Sequence, residues 1–247
     1  MRGVSIAVSL FAAATTHLAG QPAKTDYSAP AGAPYTAIDV IIPTPSGHTL
    51  SGTLTLPKFA SRARPVGAIV TVTGSGQQDR DEYLGLEGYR PFRQYADPLG
   101  RRGIAVLRTD DRGTGASKGT FKGATTADFA EDVRAGLAYL RTRPEINAKA
   151  LGVMGQSEGA LIAPMVADKE PTLRAIVLLA NEVGDQATAF RMAGNRDVTA
   201  WIVPDVNHLF VHDKDGFPAN YAKLKPPVMV DPVVVGMVVD WLAARLK

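Results

Sequence analysis

An apolar strand that runs straight into Gly-x-Ser-x-Gly, with a helical pattern starting at once behind it, leaves this chain few folds to choose from. The stretch is Leu151-Gly152-Val153-Met154-Gly155-Gln156-Ser157-Glu158-Gly159, followed by Ala160, Leu161, Ile162 and Ala163. A serine at the tip of such a strand-to-helix turn takes a strained backbone conformation, and its hydroxyl projects beyond the end of a sheet. Gly155 and Gly159 suit the turn because it leaves little room for a Cβ on either side. The pattern makes Ser157 the candidate nucleophile. An ordinary glycine-rich βα loop carrying a surface serine is the alternative.

Strand and helix patterns alternate through the rest of the chain. Residues 35–42 and 48–56 read as two strands joined across Pro43-Thr44-Pro45-Ser46-Gly47, a connection short enough for a hairpin. Residues 65–73 are apolar at their centre, as expected of a strand covered on both faces. They end in the polar loop Thr73-Gly74-Ser75-Gly76-Gln77-Gln78-Asp79-Arg80-Asp81. Phe92, Tyr95, Ala96 and Leu99 give 91–101 helical spacing, and a strand over 104–107 follows. In 127–141, Phe129, Val133, Leu137 and Leu140 line one stripe, with Asp128 as the expected cap. Residues 147–154 feed the serine turn, and 160–166 continue the helix behind it. A buried strand over 174–179, a last short strand over 198–203 and a closing helix over 232–246 complete the pattern. Such alternation predicts an α/β fold: a mostly parallel sheet with helices on both faces and an antiparallel N-terminal hairpin at one edge.

Composition narrows the chemistry. A chain of 247 residues suits one domain, here 35–247, and 45% apolar with 21% charged residues describes a soluble globular protein. Lys plus Arg number 27 against 24 Asp plus Glu, too even a balance for a nucleic-acid surface. The absence of cysteine removes disulfides, thiolate catalysis and cysteine-based zinc sites. No Asp, Glu or His spacing suits a metal, so neither metal nor cofactor is expected. Arg2 ahead of the apolar run 4–14, then small residues, reads as a secretory signal over 1–20 and implies a periplasmic or secreted protein. That run is too short for a membrane span. Residues 21–34 read as a flexible leader.

A serine nucleophile needs an imidazole to take its proton and two backbone donors for the oxyanion. Four histidines are available. His208 is the best candidate base, on the loop directly after the last short strand. His212 is weaker, in a charged segment; His48 belongs to the hairpin and His17 to the signal. Glu158 N–H, just after the nucleophile, is one expected oxyanion donor. Ser75 is the other, with Gly76 its neighbour. Phosphate binding by that loop is disfavoured, because no Gly-Lys-Ser/Thr follows it and the Gly-x-Gly-x-x-Gly fingerprint is absent.

Taken together, Thr73-Gly74-Ser75-Gly76 with Gln78-Asp79-Arg80-Asp81, Arg108-Thr109-Asp110-Asp111-Arg112-Gly113-Thr114-Gly115, the serine turn and Pro204-Asp205-Val206-Asn207-His208-Leu209-Phe210 resemble the α/β-hydrolase superfamily. More narrowly they are similar to secreted or periplasmic bacterial esterases related to the prolyl-oligopeptidase and dienelactone-hydrolase branch. The resemblance covers roughly residues 38–246. It implies an α/β-hydrolase fold with Ser157 as nucleophile, His208 as base, oxyanion donors at Ser75 and Glu158, and Asp111 and Arg112 as supports of the neighbouring loop. Such esterases carry a helical cap after the sixth strand, then a strand whose loop holds the catalytic acid. Here only 181–197 lie between, too few for cap, strand and helix. The fold is therefore expected to be shortened after the sixth strand and to lack the cap. Asn181-Glu182-Val183-Gly184-Asp185-Gln186 resembles the acid loop, which makes Asp185 the third triad member and 187–193 the next helix. Asp197 is its main rival; Asp205 would have to fold back on its own loop. The implied activity is serine carboxylic-ester hydrolysis of small-molecule esters through an acyl-enzyme. A serine peptidase of the same fold and a non-catalytic, truncated binding module remain the alternatives.

Overall fold

The computed structural model describes residues 25–180, 183–213 and 218–247, so the expected signal lies outside the described residues. The chain opens with a hairpin of β1 (Tyr35–Pro43) and β2 (Thr49–Pro57), paired antiparallel with Ile38 opposite Leu54. The parallel part follows: β3 (Val66–Val72), helix α1 (Pro91–Arg101), β4 (Ala105–Thr109), α2 (Thr126–Thr142), β5 (Ile146–Gln156), α3 (Glu158–Lys169) and β6 (Ala175–Leu179). Then come α4 (Val183–Met192), a 3-10 turn at Pro218–Lys223 and α5 (Pro232–Leu246). The sheet order is β1-β2-β4-β3-β5-β6, with β2 antiparallel to β4 and the remaining pairs from β4 to β6 parallel. This is the predicted class, a mostly parallel sheet with an antiparallel N-terminal hairpin.

The two-residue period of β3 divides the core. Ala68, Val70 and Val72 pack with Leu137 and Leu140 of α2 and Ile162 and Val166 of α3. Ile69 faces the opposite way, into the layer of Phe92, Tyr95 and Leu99 of α1 and Val238 and Leu242 of α5. Helices therefore cover both faces, as a central strand without polar alternation requires. The α2 start lies within one residue of expectation, but its cap is a different residue. Thr125 is the cap, its hydroxyl accepting from Asp128 N (3.3 Å) while the Asp128 carboxylate accepts from Thr125 N (2.8 Å). Asp128 closes this reciprocal capping box from the third helical position, where a carboxylate also meets the positive end of the helix dipole.

The strand expected over 198–203 does not form. Among the described residues β6 is the edge of the sheet, and 195–203 carry no regular structure. The reason is where that segment is tied. Asp197 is ion-paired to Arg245 of α5 (2.9 Å from Nε), and Thr199 Oγ1 accepts from Trp241 Nε1 at 3.1 Å. Held against α5, the segment stands off from β6 across a cavity of about 580 Å³, and of its apolar side chains Val203 packs on the core while Trp201 and Ile202 do not. Trp201 is 43% and Ile202 88% exposed. Strand propensity without a neighbouring strand gives no ladder to join.

Candidate active site

Ser157 sits between β5 and α3 with φ 54° and ψ −115°, a left-handed conformation that a side-chain-bearing residue adopts only under constraint. The constraint is visible on both sides. A Cβ on Gly155 would lie 2.0 Å from Gly159 O, and one on Gly159 would lie 2.2 Å from Val72 O. Only glycine lets β5, β3 and the first turn of α3 approach so closely. Ser157 N donates to Leu179 O at 3.0 Å, which fixes the turn to the end of β6. Five non-glycine residues among those described have positive φ: Glu82, Ser157, Ala180, Asp205 and Phe210. They follow the ends of β3, β5 and β6 or flank His208.

Opposite the serine lies the loop after β3. The ideal Cβ position of Gly74 is 3.2 Å from Ser157 Cβ. Gly74 N is already committed, donating to Glu82 Oε1 at 3.2 Å. Ser75 and Gly76 come next in that loop. Glu158 opens α3, and the first N–H groups of a helix have no partner within it. The two expected donors, Ser75 and Glu158, thus flank the serine turn.

A dense polar layer holds the loop from below. Thr73 Oγ1 donates to Asp111 Oδ1 (2.7 Å), and Gln78 N to Asp111 Oδ2 (2.8 Å). Burial pushes the Asp111 carboxyl up to about 7. Arg112 reaches Asp132 at 2.7 Å and the Asp128 carbonyl at 2.7 Å, joining this layer to α2. Two buried ion pairs follow in the sequence: Arg80 grips Asp110 through Nε (3.0 Å) and Nη2 (2.7 Å), and Asp81 pairs with Arg108. Arg80 also donates to Thr53 and Ser51 of β2. Side chains of Arg80 and Asp110 are 5% and 3% exposed. Arg80→Ala strands the Asp110 charge and is expected to cost about 3–5 kcal/mol of stability. Urea unfolding reads this as a lower midpoint at unchanged slope. A loss under about 1 kcal/mol would mean that the site behaves as exposed and the clamp is not structural.

Sequence reasoning did not single out Arg80, Asp110 or Glu82. The signal was present: four consecutive charges, Asp79-Arg80-Asp81-Glu82, directly behind a glycine-rich loop, in a chain whose strands on either side are buried.

The histidines separate clearly. His48 Nε2 is 3.1 Å from Asp132 Oδ1 and its Nδ1 3.0 Å from Thr44 Oγ1, so it ties the hairpin to α2. His212 Nε2 is 2.6 Å from Asp231 Oδ2 and its Nδ1 3.1 Å from Asp205 O, so both ring nitrogens are taken up by acceptors of its own loop and of α5. His208 alone among the described histidines has neither a hydrogen bond nor an ion pair. It is exposed at the tip of a turn that Asn207 organises, Asn207 Oδ1 accepting from Leu209 N (2.9 Å) and Val211 N (3.2 Å) while Leu209 is buried. Ser157 Oγ likewise has no hydrogen-bond partner among the described residues.

No described carboxylate meets His208. Asp197 is spent on Arg245, and Asp231 pairs with His212 while capping α5 through Val233 N and Val234 N. Asp185 lies in the opening turn of α4, not in a loop ahead of a helix at 187–193, and its side chain lies outside the described part of the structure. The helix starts at Val183, four residues earlier than expected, and takes Asp185 into its first turn. Among the described residues no group of His, Asp and Glu is arranged to hold a metal ion.

Comparison with known proteins agrees with this geometry. Residues 86–216 match the family Hydrolase_4, serine aminopeptidase S33, a range that holds both Ser157 and His208. Esterase EstD of Thermotoga maritima is 30% identical over 120 residues, covering 49% of this chain and 27% of EstD. The Pyrococcus furiosus esterase Pf2001 superposes with a TM-score of 0.50 at 24% identity, covering 69% of this chain and 61% of that one. The dienelactone hydrolase-like promiscuous phosphotriesterase P91, from metagenomic libraries, gives 0.60 at 16% identity, covering 86% and 99%. At such identities the two structures speak for the fold alone, and this chain spans less than two thirds of EstD or of Pf2001. Because the family match extends over more than half of its residues, the chain belongs to Hydrolase_4, the serine aminopeptidase S33 family of the α/β-hydrolase superfamily.

Proposed function

We propose that the chain is a serine carboxylic-ester hydrolase acting on small esters. The observation that carries this reading is the Ser157 turn: a strained serine at the start of a helix, with a glycine-rich loop in contact across from it. In the proposed cycle Ser157 Oγ attacks the ester carbonyl as His208 takes its proton. The N–H groups of Ser75 and Glu158 receive the oxyanion. The alcohol leaves with the proton from His208, and a water activated by the same ring hydrolyses the acyl-enzyme. Asp185 is the proposed acid, supported by its place just past the end of β6, the same end of the sheet as Ser157. The cavity beside β6 starts at Leu179 and Ala180, next to the serine turn, and offers apolar walls such as Phe190, Val206 and Val238 to an acyl chain.

The family's description as serine aminopeptidase favours a second reading, amide cleavage with the same machinery. Turnover of p-nitrophenyl acetate and butyrate beside an amino-acid p-nitroanilide separates the two. The ester reading predicts kcat/KM at least about 10²-fold higher on the esters after allowance for their intrinsic reactivity. Comparable or better anilide turnover overturns it in favour of the peptidase. No turnover of either, with no covalent labelling of Ser157 by a fluorophosphonate, leaves the non-catalytic binding module.

A further inference from the structure

Glu82 is 3% exposed, lies beside the serine turn, and has no part in the cycle above. The ideal Cβ position on Gly74 touches both sides of the matter, 2.9 Å from Glu82 Oε1 and 3.2 Å from Ser157 Cβ. Glu82 Oε1 accepts the Gly74 N–H at 3.2 Å; its Oε2 is buried with no hydrogen-bond partner. No ion pair reaches it from any described residue. The chain goes to some length to deliver this side chain inward. Glu82 holds φ 57°, costly for a residue with a side chain, and its N–H closes a turn on Asp79 O at 2.9 Å. Asp79 Oδ1 gathers the N–H groups of Asp81 (3.1 Å) and Tyr83 (3.0 Å). Arg80 and Asp81 are locked by their buried partners Asp110 and Arg108. A segment so fixed leaves Glu82 one direction to point.

We propose that Glu82 is a positioning residue for acyl transfer at Ser157, holding the Gly74 peptide of the oxyanion loop through Oε1. The proposal rests on the hydrolase reading above. An acceptor on Gly74 N–H orients the adjoining Ser75 and Gly76 peptides, whose N–H groups then face the reacting carbonyl. A buried carboxylate at the same place would oppose the charge that develops on the oxyanion, in surroundings of low dielectric where such opposition is strong. Burial pushes the Glu82 carboxyl up to about 8 against the opposing pull of the Gly74 N–H, and Asp111 from a neighbouring loop and Asp79 from its own add to the rise by repelling its charge. The hydroxyls of Tyr89 and Tyr95 lie close enough to feel it as well. At neutral pH the group is therefore a carboxylic acid. Because its value is raised from 4.5, the sign of the linkage is fixed: stability is lost as pH rises from about 4.5 to about 8, since the unfolded chain ionises first.

The test uses Glu82→Gln, which keeps the acceptor and the volume and removes the titration, beside Glu82→Ala, which removes both. At pH 7 the Gln variant is expected within about threefold of wild type in kcat, and the Ala variant about 10²-fold lower with KM little changed. Above pH 8 wild-type kcat/KM should fall nearly tenfold per unit, and the Gln variant should not fall. Amide NMR of Gly74 supplies a readout that needs no turnover: its proton shift should follow a transition near pH 8 in wild type and none in Gln. A Gly74 amide that does not titrate overturns the proposal. So does an alkaline fall that survives unchanged in Glu82→Gln, which would assign it to Asp111 or another group. A titrating Gly74 amide in a protein with no esterase or fluorophosphonate reactivity marks failure of the hydrolase reading itself.

Discussion

Alanine at Ser157 should lower kcat on p-nitrophenyl butyrate by about 10⁶-fold, as removal of a triad nucleophile does. The fold should survive it. Ser157 Oγ has no hydrogen-bond partner among the described residues, so truncation orphans no buried group, and alanine carries the same Cβ into the same strained φ of 54°. His208→Ala should lose activity to a similar degree, and the double variant should be scarcely worse than either one, because nucleophile and base act as a unit. His212→Ala is the contrast. Its ring is held by the Asp231 carboxylate and the Asp205 backbone carbonyl at an exposed position, so the expected change is within about threefold in kcat and under about 1 kcal/mol in stability. Retention of more than a tenth of wild-type kcat by Ser157→Ala, contamination excluded, removes the nucleophile assignment. Loss on His212→Ala with retention on His208→Ala moves the base to His212.

Why the elbow could be read from the sequence and the acid could not is a matter of range. The serine turn is local in its pattern: Gly155, Ser157 and Gly159 lie within one strand-to-helix junction, and the clash that demands glycine at Gly155 is with Gly159 and Ala160, although the one at Gly159 comes from Val72 and Thr73 of the distant β3 end. The hairpin and the helices are local in the same sense, since period and turn chemistry sit inside each segment. The segment 198–203 has the composition of a strand, but a strand is a relation between two segments. Its fate was decided by Arg245 and Trp241 of α5, residues that no local pattern connects to Asp197 and Thr199. The buried pairs Arg80–Asp110 and Arg108–Asp81 were hidden for a related reason. Charges next to a glycine-rich loop look like solvated polar residues until β2 and β4 are known to close over them. The start of α2 was missed by one capping position, because Thr125 and Asp128 share the cap and either could be taken for it alone.

Asp185→Asn carries the second large effect, and elimination leads to it. A His208 base needs a carboxylate on its far ring nitrogen, and the described carboxylates near that end of the sheet have other work. Asp197 holds Arg245, Asp231 holds His212 and caps α5, and Asp111 accepts from Thr73 and Gln78. Asp205 sits at φ 57° in the turn before His208 and is exposed. Of the two left, Asp185 on the first turn of α4 just past β6 is the better placed, since Asp205 would have to fold back on its own loop. Loss of a triad acid alone costs about 10⁴-fold in kcat, and loss of the nucleophile about 10⁶-fold, so the two substitutions together report whether an acid is working. With Asp185 in the triad, Asp185→Asn lowers kcat by about 10⁴-fold, Asp197→Asn by less than about threefold, and Ser157→Ala retains its full cost of about 10⁶. A wild-type enzyme without a working acid has already lost that 10⁴, and Ser157→Ala can then remove only about a further 10²-fold. Asp185→Asn within threefold of wild type, combined with that shallow Ser157→Ala effect, would therefore exclude Asp185 and identify a serine–histidine pair running without its carboxylate. A shallow Asp185→Asn with a deep Ser157→Ala would exclude Asp185 too, and would pass the acid's role to Asp205.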